Sequence, residues 1–522
     1  MTKLLILTCF FTFQIMHINS ARILAVYPTP SISHQVVFRR LTDALIERGH
    51  RVTVITTDPK YPKDQSPKNL TEIDVHDLSY GIWKETLSKE SVGNKDDVYN
   101  QVTTVFRMSS YILKKQIATK EVQDIIKEKS GAYDLLMIEA FVKPALIFSH
   151  IFKAPVILVS SFGAISDNFK AFGVSTHPIL YPAPIQQKLY RLTNLEKLSM
   201  LYNHCWFENV LQQFEKDDDE MLKSMFGPNT PSINQLSNNI DMLLLNIHPI
   251  WVDNQPVPPN VVFIGGIHTQ KPKELPQDLK ACLDSSRNGV IYFSLGTNVY
   301  PELLPPEKIQ MLIRAFSQLP YDILWKWNQD TLPGISPNIK ISKWLPQSDL
   351  LRHPKIKLFI TQGGLQSTDE AIFAGVPLIG IPMLGDQWYN VQKYVHLGIG
   401  VQLDMDSLTE EEFRNAINKV IDDKSYRENI IHLRNIVEDQ PMSALDRGVW
   451  WIEHVLRHRG GKHLRAAGAN ISWTEYLELE LLFLITFAAF IAVVILSIFI
   501  YFVMWKFFSN IFNANIKIKN NI

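Results

Sequence analysis

Apolar residues in this chain fall into short runs separated by stretches with helical spacing. Arg22–Tyr27 (RILAVY) and Arg51–Thr56 (RVTVIT) are strand-like runs. Between them, His34–Arg48 puts Val37, Leu41, Leu45 and Ile46 on one helical side, and Gly49 suits its C-terminus. Strand, helix, strand in this order predicts a βαβ opening on a parallel sheet. Tyr133–Ile138 (YDLLMI) is a further strand, ahead of a helix opened by Pro144. From Phe162 to about Ile240 the pattern is irregular, with aromatics, prolines and helical pieces. A ligand pocket or a membrane-contacting lid would suit such a stretch. Ile250–Lys280 carries Pro256, Pro258, Pro259, Pro272 and Pro276 and reads as a connector.

A second α/β half opens at Gly289–Leu295 (GVIYFSL), with Gly296-Thr297 at its end. A helix near Glu307–Gln318 and a strand over Asp322–Trp327 follow. The run Ile356–Thr361 (IKLFIT) has the apolar character of a strand covered on both faces. Gly363-Gly364 then permits a sharp turn into a helix around Ser367–Ala374, which Gly375-Val376-Pro377 stops. Pro377–Met383 reads as the next strand, ending in Gly385-Asp386-Gln387. Helices are predicted over Thr409–Ile421, Lys424–Val437 and Met442–His458. A strand–glycine–helix junction turns free N–H groups and a positive dipole end toward a ligand, which suits phosphate.

The two ends read differently. Met1–Ser20 has a lysine near its start, an apolar middle and a small last residue, as a secretory leader does. Leu481–Trp505 is an uncharged apolar run, and roughly 25 residues at about 1.5 Å each cross a hydrocarbon core of about 30 Å. Glu475, Glu478 and Glu480 precede it, and Lys506, Lys517 and Lys519 follow, which predicts a cytosolic tail over 506–522 and a lumenal body. Two sequons, at Asn69 and Asn470, would then meet the glycosylation machinery.

Composition narrows the class. Hydrophobic residues make up 46% and charged residues 20%, which is globular. Lys+Arg and Asp+Glu both number 52, so no net charge points to nucleic acid. Beyond Cys9, Cys205 and Cys282 allow one bridge at most. The first half lacks a G-x-G-x-x-G turn, which argues against a dinucleotide site and an oxidoreductase. No metal-ligand spacing emerges around His177, His204 and Trp206.

The polar residues of Trp344–Gln387 suggest a ligand. An indole at Trp344 can stack on a base, and Gln347 can pair with the amide edge of a uracil. Glu370 can accept from a ribose diol, the junction running from Gln362 through Gly363 and Gly364 to the helix of Ser367 suits a diphosphate, and Asp386 with Gln387 can bind sugar hydroxyls. Base, ribose, diphosphate and sugar each have a partner, in an order that one nucleotide-sugar satisfies.

On these motifs the chain resembles the UDP-glycosyltransferase family, which includes the UDP-glucuronosyltransferases, and its insect members in particular. The resemblance implies an α/β fold of two Rossmann-like domains facing a cleft (GT-B), plus a C-terminal transmembrane helix. It implies a leader over 1–20, an acceptor-binding domain over 21–250, a linker over 251–288 and a UDP-sugar-binding domain over 289–440. Helices over 441–475 would pack back on the first domain, ahead of the membrane helix over 481–505. By resemblance His34 and Glu139 form the catalytic pair, and Gly296-Thr297 touches the donor's phosphates. Two residues depart from the family pattern, Gln362 where His is usual and Glu139 where Asp is usual. The implied activity is metal-independent, inverting transfer of glucose, or else glucuronate, from a UDP-sugar to a small lipophilic acceptor, with UDP-sugar as co-substrate and no cofactor. Residence in the endoplasmic reticulum membrane with the catalytic part lumenal, a detoxifying role and a homo-oligomer are compatible with it. A membrane-tethered binding protein without turnover and a lipid-directed transferase are the alternatives.

Overall fold

The computed structural model of the chain describes residues 20–87, 97–299, 301 and 304–519. The leader expected over 1–20 lies outside these residues apart from Ser20. Two all-parallel sheets organise the body. The first has strand order β3-β2-β1-β4-β5-β6-β7. Its strands are β1 (Arg22–Tyr27), β2 (Arg51–Thr56), β3 (Leu70–Asp74), β4 (Leu135–Glu139), β5 (Val156–Ser160), β6 (Ile240–Leu245) and β7 (Val261–Phe263). In the centre, Ala25 pairs with Val54 on one side and Met137 on the other. Every residue of β4 and β5 is buried, as strands covered by helices on both faces must be. β7 lies inside the proline-rich stretch read as a connector, so part of that stretch completes the first sheet.

The second sheet has order β10-β9-β8-β11-β12-β13. It is built from β8 (Val290–Ser294), β9 (Asp322–Lys326), β10 (Ile339–Ser342), β11 (Ile356–Thr361), β12 (Leu378–Gly380) and β13 (Gly400–Gln402). The strand expected over Pro377–Met383 is thus shorter, and its last residues turn toward the cleft.

Seven helices matter below: α1 (Ile32–Glu47), α2 (Val98–Ile117), α3 (Asn194–Phe226), α4 (Leu365–Ala374), α5 (Gln387–His396), α6 (Ala444–His458) and α7 (Leu479–Lys519). α1 starts two residues ahead of His34, because Ser31 takes the N-cap with extended backbone (φ −146°, ψ 115°). α3 runs for 33 residues through the stretch that read as irregular. Its inward side buries Met200, Phe207, Leu211 and Phe214, while Leu195, Leu198, Tyr202 and Trp206 lie exposed. Apolar residues on two sides blur the single stripe by which a surface helix is recognised.

α6 returns to the first domain. Val449, Ile452 and Val455 enter the same core as Leu41 and Leu45 of α1. Beside them the buried Glu453 receives the Arg48 guanidinium through both oxygens, with Nη2 to Oε2 at 2.7 Å. Cys205 and Cys282 are both free thiols. Asn69 Nδ2 donates to Ile46 O (2.8 Å) and His50 O (3.0 Å), two bonds that a glycan on that atom would displace. Asn470, in the second unit, has φ +58°.

The C-terminal unit, Ala467–Ile522, is compact by itself. Within α7, the 33-residue stretch Leu479–Ile511 contains an 18-residue window of mean hydropathy 3.0 and is long and apolar enough to cross a membrane.

Glu453→Leu is expected to lower the unfolding free energy by about 1–2 kcal/mol, below the usual value for a charge-assisted bidentate pair because Arg48 is half exposed. Urea titration of the full chain in detergent checks this, and an unchanged midpoint would show that α6 is held by its apolar side alone.

Candidate active site

Strand order reverses beside β1 in the first sheet and beside β8 in the second, and chain segments diverge there to leave a crevice at the strands' carboxyl ends. His34 stands just after β1 and Glu139 ends the neighbouring β4. Gly296-Thr297 follows β8, and Gln362-Gly363-Gly364 follows the neighbouring β11. These segments line a common cleft holding a cavity of about 460 Å³.

On the first-domain side, Glu139 Oε1 lies 3.0 Å from His34 Nδ1, and Oε2 accepts from the Thr29 N–H at 3.1 Å. Glu139 is fully buried, so both oxygens need partners, and both have them. The longer Glu side chain is accommodated with its carboxylate against the imidazole. With Nδ1–H held by Glu139, His34 Nε2 is left as the basic nitrogen. Around it the cavity wall is apolar, formed by Trp83, Phe106, Phe141, Phe162, Ile185 and Phe207.

On the second-domain side, Gly363 adopts φ +92°, and a Cβ there would sit 2.5 Å from Val391, so only glycine fits this turn. α4 follows with Gly364 at its N-cap and no side chain capping its first N–H groups. The helix terminus therefore keeps its donors for an anion. Gly296, at φ +78°, packs against Gln362, and a Cβ there would fall 2.3 Å from Gln362 Nε2. The carbonyl oxygen of Gln362 is buried without a protein partner. Lys326 Nζ donates to Gly296 O at 2.8 Å and so braces the phosphate-side turn.

Trp344 lines the cleft with 61% of its surface exposed, as a stacking platform for a base requires. Gln347 is differently placed from the sequence expectation. Its Oε1 accepts from Tyr292 OH (3.0 Å), and its Nε2 donates to Ser367 Oγ (2.9 Å) and Glu370 Oε2 (2.7 Å). Uracil would have to exchange one of these bonds. Ser367, expected at the diphosphate, is drawn into the same network. Glu370 is half-buried, and desolvation pushes its carboxyl up to about 7 against the pull of the Gln347 amide.

Asp386 accepts from Asn390 Nδ2 at 3.0 Å. Burial raises its carboxyl, opposed by Asn390 and by the nearby His34. Gln387 spends its carbonyl oxygen on the Met383 and Leu384 N–H groups (2.9 and 2.8 Å), which leaves its NH₂ end for a ligand. Residues not anticipated from sequence include Tyr292, Lys326, Asn390 and Asn298. Asn298 Nδ2 donates to Ser31 Oγ across the cleft at 3.2 Å. Of these, Tyr292 carried a signal: a phenol hydroxyl in the middle of a buried strand needs a partner.

Two Rossmann sheets with opposed crevices, one presenting the His34–Glu139 pair and the other glycine turns beside an uncapped helix terminus, define a GT-B glycosyltransferase. The chain matches the family described as UDP-glucoronosyl and UDP-glucosyl transferase over residues 22–517. It is 35% identical to an ecdysteroid UDP-glucosyltransferase of Spodoptera littoralis nuclear polyhedrosis virus, covering 89% of this chain and 94% of that one. It is 33% identical to UDP-glucosyltransferase 2 of Dactylopius coccus, covering 91% and 92%. Among solved structures, the glycotransferase of kitacinnamycin aligns with TM-score 0.56 at 18% identity, over 84% of this chain and 99% of that one. The chain belongs to the UDP-glycosyltransferase family and is a UDP-glycosyltransferase enzyme.

Two outcomes are expected from this geometry. A ribose diol donating to Glu370 would require the carboxylate, whose pKa burial pushes up to about 7. Uridine affinity should therefore rise with pH, by up to about tenfold per unit below pH 7, and level off above about pH 8. Calorimetry across that range checks it, with Glu370→Gln expected to flatten the profile; a flat wild-type profile would remove Glu370 from the ribose. Gly296→Ala should raise the KM for donor several-fold, because its Cβ displaces Gln362 and the left-handed backbone is strained. Unchanged donor kinetics would mean that this turn does not meet the diphosphate.

Proposed function

We propose that the enzyme transfers glucose from UDP-glucose to a hydroxyl of a small lipophilic acceptor, with inversion and without a metal. The observation that carries this reading is the His34–Glu139 pair at the border between the apolar cavity and the donor-side turns. His34 Nε2 takes the acceptor's hydroxyl proton as its oxygen bonds to the anomeric carbon. The bond from that carbon to the phosphate oxygen breaks on the opposite face, and UDP leaves with the electron pair. Glu139 keeps the imidazole in the useful tautomer and offsets the charge it gains. The uncapped α4 terminus, with the Gly296-Thr297 turn, faces the charge that builds on the leaving diphosphate.

Glucose is favoured by the relatives named as glucosyltransferases, and by Asp386 and the Gln387 amide, which suit hydroxyls. The relatives named for ecdysteroids put a steroid beside simple phenols among the acceptors to try. On the same reading the leader is removed, α7 anchors the chain in the endoplasmic reticulum membrane with its body lumenal, and conjugation of lipophiles is the physiological role.

His34→Ala should lower kcat by about 10²–10⁴-fold, the usual worth of a general base, while uridine affinity stays within twofold of wild type. Turnover measured with UDP-glucose and UDP-glucuronate against phenol and steroid acceptors tests base and donor together. Wild-type turnover in the variant would reject the base, and preference for UDP-glucuronate would reject the donor assignment.

A further inference from the structure

The exposed side of α3 is an apolar surface left in water. At about 100° per residue, Leu195, Leu198, Tyr202 and Trp206 share one narrow arc of the helix. They are 79%, 63%, 70% and 37% exposed. Ser199, Cys205 and Asn209, which fall in or beside that arc, are uncharged. A face this long without a charge marks an interaction surface. Its aromatic members are the types that settle at membrane–water interfaces, and Arg191 and Lys197 are exposed at the same end.

The same turn of helix borders the acceptor cavity. Trp206 is on the outer face, while the next residue, Phe207, lines the cavity. Trp206 meets Tyr99 of α2 edge-on, with centroids 5.4 Å apart, and Val102, Val105 and Phe106 of α2 also line the cavity. Consecutive residues of α3 thus belong to the outer apolar face and to the cavity wall at the α2–α3 seam.

We propose that this face rests in the interfacial layer of a lipid bilayer and that lipophilic acceptors pass from the bilayer through the α2–α3 seam to His34. The inference rests on the reading of α7 as a membrane anchor, which tethers the body to a bilayer and makes lipid the occupant of the face.

The test uses the full chain, with Cys9→Ser and Cys282→Ser, in phosphatidylcholine–phosphatidylserine vesicles. A nitroxide on the native, exposed Cys205 reads the face. The label is expected to be accessible to oxygen and shielded from a water-soluble nickel chelate. Leu195→Glu with Leu198→Glu should reverse that, and should raise the KM for a bilayer-partitioned acceptor several-fold while leaving the KM for a water-soluble phenol within twofold. A nickel-accessible wild-type label overturns the proposal, as does spin–spin broadening, which would make the face a seam between two copies. Alkaline carbonate extraction reads the anchor separately. A chain that resists extraction but has a water-exposed label refutes the docking face alone, and a chain that is extracted refutes the anchor.

Discussion

A parallel sheet whose strand order reverses must send neighbouring chain segments to opposite faces, and the gap this opens is the constraint from which the chemistry of this enzyme follows. It occurs between β1 and β4 and again between β8 and β11. The residues leaving those strands are His34, Glu139, the Gly296-Thr297 turn and the Gln362–Gly364 turn. Because β4 and β8 are buried along their whole length, these residues are held by a rigid scaffold. Earlier in such strands a polar group needs a buried partner, as the Tyr292 hydroxyl has in Gln347, so most collect at the ends.

Burial then sets how each group behaves. Glu139 is covered completely, and its two oxygens are satisfied by one imidazole and one backbone N–H, so the imidazole's orientation follows from the carboxylate's need for partners. On the second-domain side Tyr292, Gln347, Ser367 and Glu370 satisfy one another. Any ligand that bonds to them would replace some of those bonds, and its binding energy would be a difference between two hydrogen-bonded states.

The two crevices are useful only if held face to face. Trp251, in the connection between β6 and β7 of the first sheet, donates its indole N–H to Asn390 Oδ1 at 2.9 Å, and Asn390 in turn donates to Asp386 and to Gly363 O. Lys393 is buried on the same helix, with Nζ 2.6 Å from Asp253 Oδ2 and the rings of Tyr190 and Tyr389 alongside. α5 therefore has a cleft-lining residue, Asp386, at its start and the interdomain ties one and two turns later. A shift between domains would move Asp386 with it.

Local pattern determined a great deal. The runs RILAVY, RVTVIT and IKLFIT match β1, β2 and β11 residue for residue, because a doubly covered strand must be apolar throughout. Gly363 and the helix after it were legible because a left-handed turn feeding a helix terminus leaves a glycine signature. The membrane-length helix was legible for the same reason, since apolarity over such a length needs no tertiary partner. Only the fold decided which polar groups pair. That Gln347 would be saturated by Tyr292, Ser367 and Glu370, or Gln387 turned onto the Met383 and Leu384 N–H groups, depends on a strand and a helix start 55 residues apart and on turn geometry that no spacing encodes. α3 was hidden because its period serves two environments at once. Hydrophobic periodicity reports burial along one axis, whereas hydrogen-bond partners and second faces are set by whatever the rest of the chain brings alongside.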